Sequence, residues 1–514
     1  MNRRTFVRSA AALTSGVSIS HSLPVLAELQ DAVAARPKAF TIRADVVSRQ
    51  LPHVWEACIG SDRASVGMRA QWLDDLDRIH KEVGAQSVRF HGLFSDEMGV
   101  WPVGAKGPNF LYVDMVFDAM MARGVKPFVE LGFMPGGLAS GTQTIFFYKA
   151  NVTPPKEMAH WSQLISAFAQ HCIDRYGASE VTTWNFEVWN EANLPYFWSS
   201  TKEAYFDLFR AAALALKGVD PRLRVGGPST ARASWVADLL KFCEKQEVPI
   251  DFVSTHIYPD DPQDILFEGA SVHYPYEEVI PRALEKLKRQ IAASKFPKLP
   301  LYISEWSSQN PAFIVHTIKG CIGLADIMSY WTFDNVYEEL GIPATFMNGG
   351  FGLLALRGVP RPSFHTFTLL HRLGDSEVET TDGPLLATRR KDGSLAILLW
   401  NLSPRPPGQR SATGDPTVQT ASQYASDGTG STYVLSFEGI HNARKGQITR
   451  VDASSWSLAA AYEAIGKPAY PTASQIDELK TQAKLAPPQS VRIDASNKLF
   501  INVPPNGIAL LELA

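Results

Sequence analysis

Two short apolar runs in this 514-residue chain end in carboxylates. The first is Trp184-Asn185-Phe186-Glu187-Val188-Trp189, followed at once by Asn190 and Glu191. The second is Leu301-Tyr302-Ile303-Ser304, followed by Glu305 and Trp306. A carboxylate in an apolar wall is costly unless it is paired or hydrogen-bonded, so a Glu held there is a candidate acid, base or nucleophile. Two such groups flanking one glycosidic bond can break it. One, protonated, gives its proton to the leaving oxygen, and the other, ionised, attacks the anomeric carbon or activates a water. The distance between them decides the outcome: about 5 Å gives retention through a covalent intermediate, and a wider gap gives inversion.

These residues need a scaffold that brings distant strand ends together, and the chain supplies one. From His53 onward a short apolar strand, a loop and a helix with apolar 3/4 spacing recur. Eight strands are predicted, at Val54–Ile59, Ser87–Phe90, Lys126–Leu131, Trp184–Trp189, Leu223–Gly226, Phe252–Thr255, Leu301–Ser304 and Ser329–Phe333. Helices fall between them, and Gly84, Gly124 and Gly177 stand where a left-handed residue would close the last turn. This alternation predicts an α/β fold, a (β/α)8 barrel over residues 51–372. A doubly wound sheet is the alternative, but no GxGxxG follows a strand. In a barrel the working side chains gather at the carboxyl ends of the strands. Glu191, Glu305, Arg89 with His91, His256 with Tyr258, and Trp331 all fall there, and His53 opens the first strand. Glu187 shares a strand face with Trp189 and is read as an interior carboxylate paired with a basic neighbour. Trp198, Trp306 and Trp331 are candidate sugar-stacking rings, with core packing as the competing reading.

Past residue 373 the texture changes to short alternating runs separated by Gly, Pro, Asp and Ser. That predicts an accessory antiparallel β-sandwich over residues 373–514, with a long Pro/Ser/Thr/Gly-rich loop near 401–430. A strand within residues 36–50 precedes the barrel and is expected to join this β domain. Residues 1–35 begin with Asn2-Arg3-Arg4-Thr5-Phe6 and an Ala/Ser-rich run, the pattern of a bacterial twin-arginine export signal. A periplasmic or secreted location is expected, and no other stretch is long and apolar enough to span a membrane. With a formal net charge of -3, nothing draws the chain to nucleic acid or an anionic membrane. The 4 cysteines (Cys58, Cys172, Cys243, Cys321) show no CxxC or zinc spacing. No metal site and no cofactor are expected, and a disulfide after export remains open.

The motifs as a set resemble glycoside hydrolase family 39, the β-xylosidase and α-L-iduronidase family within the large retaining clan of (β/α)8 glycosidases. They are Cys58-Ile59-Gly60-Ser61, Val88-Arg89-Phe90-His91-Gly92-Leu93-Phe94 with Asp96-Glu97-Met98, and Phe186-Glu187-Val188-Trp189-Asn190-Glu191 with Asn193-Leu194 and Phe197-Trp198. Further matches are Thr255-His256-Ile257-Tyr258-Pro259, Ser304-Glu305-Trp306-Ser307-Ser308, Tyr330-Trp331-Thr332-Phe333 and Gly349-Gly350-Phe351-Gly352-Leu353. The resemblance implies Glu191 as acid/base and Glu305 as nucleophile. It implies that Asn190 holds the sugar's 2-hydroxyl and that His256 and Tyr258 border the nucleophile. His53 would reach a ring hydroxyl, Trp331 would line the sugar site, Arg89 would keep Glu305 ionised, and Glu338 would contact substrate. The family usually has Pro after the acid/base; Ala192 stands here. The implied activity is a retaining β-xylosidase releasing xylose from the non-reducing ends of xylo-oligosaccharides. Alternatives are the same mechanism on an α-L-iduronide, α-L-arabinoside, β-galactoside or bacterial exopolysaccharide, and a non-catalytic glycan-binding protein. The partner is then an oligosaccharide or polysaccharide; oligomeric state is left open.

Overall fold

The structure is a computed structural model and describes residues 37–269, 271–343, 345–346, 351–404, 428–440, 445–452 and 457–514. The export-signal reading, the Gly349-Gly350 pair and most of the 401–430 loop lie outside the described residues.

Eight parallel strands close into a barrel in chain order: Ile59–Arg63, Ser87–His91, Lys126–Leu131, Asn185–Val188, Arg224–Ala231, Phe252–His256, Leu301–Trp306 and Ile327–Tyr330. The main helix following each is, in turn, Ala70–Arg78, Leu111–Met121, Met158–Tyr176, Lys202–Val219, Val236–Gln246, Val279–Ala292, Pro311–Cys321 and Pro362–His371. Caps fix several of them. Thr201 Oγ1 accepts from the Ala204 amide, Asn310 caps the helix that begins with Pro311, and Gly84 turns left-handed at φ 81°.

The first strand departs from expectation. The apolar Val54–Cys58 stretch forms a turn, and the strand is the polar Ile59–Arg63, buried throughout. Polarity is tolerated because this strand's side chains have partners: Ser61 Oγ accepts from Trp72 Nε1, and Arg63 meets Asp62, Glu97 and Glu338.

Inside the barrel the side chains stack in layers. Near the strand starts, Phe128, Phe252 and Tyr302 pack together at 4.7–6.3 Å between ring centroids. Gly226 makes room, since a Cβ there would stand 2.3 Å from the Phe252 ring. Two residues further along the same strands stand Glu130, Ser254 and Ser304, so an apolar plug supports a polar layer.

Apart from two short two-stranded pairs, Thr144–Ile145 with Ala150–Asn151 and Leu354–Ala355 with Val359–Pro360, the remaining described strands form one continuous nine-stranded sheet. Its order is Gln489–Arg492, Lys445–Val451, Ile508–Leu513, Leu395–Trp400, Leu385–Arg389, Ser376–Thr380, Lys38–Gln50, Ser431–Glu438, Lys498–Val503. The sheet is mixed rather than purely antiparallel, because Lys38–Gln50 runs parallel to Ser431–Glu438. Its alternating residues, among them Ile42, Leu385, Ile397, Leu435 and Leu511, bury into a core separate from the barrel's. Two helices, Ser457–Ala464 and Ala473–Gln482, interrupt the β run. Tyr462, Ile476 and Leu479 pack with Phe346 and Val359 from the segment after the last barrel strand. All four cysteines are buried and unbridged.

Candidate active site

Glu191 and Glu305 are brought to one mouth by two local distortions. Along Leu301–Trp306 the strand alternation would turn Glu305 away from Tyr302 and Ser304. A register shift against both neighbouring strands, between Ile303 and Glu305 or Trp306, returns it to the interior. At the fourth strand, Trp189 and Glu191 both adopt positive φ, 69° and 46°. Such backbone is rare outside glycine and persists where surrounding contacts hold it. Here the Glu191 amide donates to the Ser229 carbonyl at 2.8 Å and Trp189 Nε1 to the Phe197 carbonyl at 2.9 Å.

Arg89, wholly buried, is the hub. Its Nε donates to Glu187 Oε2 at 2.6 Å, Nη1 to Glu305 Oε1 at 2.7 Å, and Nη2 to Asn190 Oδ1 at 3.0 Å and Ser229 Oγ at 3.2 Å. Nη2 also lies 2.8 Å from Glu130 Oε2. Glu187 thus has the basic partner read for it from the sequence. Three carboxylates around one guanidinium would leave excess negative charge, and the site resolves this unevenly. Burial pushes Glu130 up to about 8 against the pull of Arg89, so it holds a proton at neutral pH. Glu187 pays the same desolvation, but Arg89, His256 and the Ser254 and Ser304 hydroxyls outweigh it and hold its pKa below the usual range.

The second oxygen of Glu305 accepts from the Tyr258 hydroxyl at 3.0 Å. His256 lies between the acids, its Nδ1 at 3.0 Å from Glu191 Oε1 and 3.5 Å from Glu305 Oε2. One oxygen each of Glu191 and Glu305 and a ring nitrogen of His256 lie within 4.8 Å of one another. Burial pushes His256 down to about 4, with the Glu305 charge opposing, so the imidazole is neutral. His91 is likewise pushed down to about 4 by burial. Its Nδ1 meets Glu130 Oε2 at 2.7 Å, and its ring lies 4.6 Å from that of Trp331. Gly60 admits that indole, since a Cβ there would stand 2.5 Å from it.

Glu191, Glu305, Asn190, Arg89, His256, Tyr258 and Trp331 therefore converge. Two residues do not sit as expected. His53 lies at the opposite end of the barrel, where Glu56 and Gln86 link the starts of the strands. Its Nδ1 meets Glu56 Oε1 at 2.7 Å and its Nε2 the Gly374 carbonyl at 3.4 Å, so it cannot reach a sugar at the mouth. Glu338 is occupied by two arginines, Arg63 Nη2 at 2.9 Å and Arg69 Nη1 at 2.5 Å. Its neighbour Glu339 faces the site instead, with Oε1 3.8 Å from His91 Nε2, which is itself 3.7 Å from Glu305 Oε1. Trp198 and Trp306 are buried core residues.

Glu130, Ser229 and Glu339 escaped the sequence reading. Glu130 stands two residues after Phe128, on the face that carries Glu187's neighbours, and that register was the available signal.

Comparison with known proteins agrees with this arrangement. The profile of Glycosyl hydrolases family 39 matches residues 39–498. A β-xylosidase from Geobacillus stearothermophilus is 42% identical over 377 residues, 68% of this chain and 74% of that one. Another from Caldicellulosiruptor saccharolyticus is 36% identical over 460 residues, 84% and 88% of the two chains. The crystal structure of a monomeric β-xylosidase from Caulobacter crescentus CB15 superposes with a TM-score of 0.82 at 30% identity, covering 93% of this chain and 99% of that one. With a match through both the barrel and most of the β domain, the chain belongs to glycosyl hydrolases family 39.

Proposed function

We propose that this protein is a retaining β-xylosidase that releases xylose from the non-reducing ends of xylo-oligosaccharides. The observation that carries the mechanism is the approach of the Glu191 and Glu305 carboxylates to within 4.8 Å, oxygen to oxygen. Inverting enzymes hold their acids about 6.5–9.5 Å apart to fit a water between them. Here Glu305 attacks the anomeric carbon and forms an ester as the glycosidic C–O bond breaks. The bonding pair leaves with the aglycone oxygen, which takes the proton of Glu191. Water then enters, gives its proton to the Glu191 carboxylate, and displaces Glu305 from the sugar. Arg89 and Tyr258 each donate to one oxygen of Glu305 in the resting site and so fix its orientation for attack.

Xylose is favoured by the similarity to the two β-xylosidases over most of the chain. A uronic acid would need a cation for its carboxylate. Arg63 and Arg69 are already engaged, Arg63 by Asp62, Glu97 and Glu338 and Arg69 by Glu338. This favours a neutral sugar over an iduronide. Export through the twin-arginine route, on the strength of Arg3-Arg4, would place the activity in the periplasm or outside the cell.

Initial rates on aryl β-xyloside, α-L-arabinoside, β-galactoside and α-L-iduronide, with Glu191→Ala and Glu305→Ala beside wild type, test this reading. The β-xyloside should be the best substrate, and azide should restore turnover to Glu305→Ala with an inverted glycosyl azide as product. Preference for another glycoside would overturn the specificity, and wild-type rates in both variants would overturn the mechanism.

A further inference from the structure

We propose that Asp261 is a positioning residue that holds the Tyr258 phenol on Glu305. The proposal rests on the reading of Glu305 as nucleophile. Tyr258 is the second residue beyond the sixth barrel strand, Phe252–His256. One residue earlier, the Ile257 amide still ties the chain to the barrel, donating to the Glu305 carbonyl at 3.2 Å. At Tyr258 the strand has ended, and the aim of the phenol depends on what holds the backbone there.

Asp261 holds it twice. Tyr258-Pro259-Asp260-Asp261 is a β-turn with Pro at its favoured second position, closed by the Asp261 amide donating to the Tyr258 carbonyl at 3.0 Å. The Asp261 side chain then reaches back, its Oδ2 accepting from the Tyr258 amide at 2.8 Å. Both main-chain polar groups of Tyr258 are thus met by one residue. The other oxygen, Oδ1, lies 3.8 Å from Arg232 Nε, and the Asp261 side chain is only 15% exposed. Burial pushes Asp261 up to about 7, with the Tyr258 amide opposing, but either protonation state accepts from an amide.

Arg232 is itself held in place. It stands at the end of the fifth strand, where Ser229, Arg232, Ala233 and Trp235 all have φ between 51° and 63°. Such backbone persists where contacts over-determine it. Here Asn193 clamps Ala231 at both its amide and its carbonyl, at 2.9 and 3.0 Å, and the Ala233 amide donates to the His256 carbonyl at 3.3 Å. Arg232, Asp261 and Tyr258 therefore link the end of the fifth strand to the nucleophile on the seventh. Glu305 takes Arg89 Nη1 on Oε1 at 2.7 Å and the Tyr258 hydroxyl on Oε2 at 3.0 Å. If the turn loosens, the phenol leaves Oε2, and Glu305 keeps Arg89 but loses its second donor.

The test is a double-mutant cycle in kcat/KM on an aryl β-xyloside, joining Asp261→Ala with Tyr258→Phe. Each single change should cost about ten-fold, the worth of one hydrogen bond to a charged group. In the Tyr258→Phe background, Asp261→Ala should cost about two-fold or less, since it acts through the missing hydroxyl. Two further variants separate the turn from the charge and serve even if Asp261→Ala does not fold. Asp261→Asn keeps an acceptor at the same reach without the charge and should recover most of the loss. Asp261→Glu keeps the charge but carries the acceptor past the Tyr258 amide, and should be impaired like Ala. Losses that multiply in the double variant, or an active Glu variant beside an impaired Asn one, would overturn the proposal. Glu305→Ala run beside them at wild-type rates would remove the nucleophile assignment itself rather than the role of Asp261.

Discussion

Glu191 and Glu305, 114 residues apart in the chain, present carboxylate oxygens within 4.8 Å of each other at the mouth of one barrel. The His256 imidazole touches both. Their difference lies in their partners. Glu305 accepts from a guanidinium and a phenol, whereas Glu191 has a neutral imidazole at one oxygen. Two carboxyl groups in unlike surroundings suit unlike roles.

Arg89 should matter to folding as much as to catalysis. Removing one partner of a buried ion pair costs about 3–5 kcal/mol, because the other charge is left uncompensated. Arg89→Met leaves Glu187 and Glu305 in that position. Chemical denaturation should show a loss of that order, and kcat should fall with it. A variant of wild-type stability would contradict the hub.

His53 supports a clasp at the far end of the barrel. Glu56 Oε1 accepts from both His53 Nδ1, at 2.7 Å, and His371 Nδ1, at 3.0 Å. Burial opposes a charged imidazole at His53, but the hydrogen bond and charge of Glu56 win and raise its pKa. Glu56 is held low by the two histidines against its own desolvation. A raised histidine stabilises fully below its unfolded pKa, and the benefit fades as pH rises through the folded value. A lowered carboxyl stabilises above its unfolded pKa, and the benefit is lost as pH falls through the folded value. The clasp is therefore strongest between the carboxyl and imidazole ranges. His53→Ala should cost about 1–2 kcal/mol near pH 5.5 and less above pH 8, with kcat/KM unchanged. A rise in KM without loss of stability would return His53 to the sugar site.

The adjacent pair Glu338 and Glu339 should separate cleanly by experiment. Glu338→Ala takes from Arg63 one of its three carboxylate partners and from Arg69 its carboxylate, and should lower stability by about 1–3 kcal/mol. Glu339→Gln keeps the fold and should raise KM or lower kcat on xylosides. The reverse pattern, with Glu338→Ala folded but defective in binding, would restore the sequence-based assignment.

Much of this architecture was legible because a parallel barrel buries its strands on both sides, so they read as apolar runs. Lys126–Leu131 is such a run, and the structure places the strand on those same residues. The first strand failed for the opposite reason: Ile59-Gly60-Ser61-Asp62-Arg63 is polar, and its burial is tolerable because Trp72, Glu97 and Glu338, further along the chain, pair with it. Ser229 was hidden because Gly226-Gly227-Pro228 reads as the end of a strand that in fact runs to Ala231. Glu338 and Glu339 show the limit of motif matching. Adjacent acids look equivalent in sequence, and the loop decides which meets the arginines and which turns inward. The helices Ser457–Ala464 and Ala473–Gln482 were lost in a segment read as uniformly β.

The nucleophile can be identified chemically. A 2-deoxy-2-fluoro-β-xyloside with an activated leaving group should inactivate the enzyme and leave a fluoroxylosyl ester on the peptide containing Glu305. Label on Glu191 would exchange the two roles.

The central claim is double displacement, and the anomer first released reports on it directly. Proton NMR during the first minutes of hydrolysis of an aryl β-xyloside distinguishes the two stereochemical courses before mutarotation mixes them. The carboxylate separation predicts that β-xylose appears first and the α anomer grows in later. Initial release of α-xylose would mean single displacement by water, and the retaining account of Glu191 and Glu305 would be wrong.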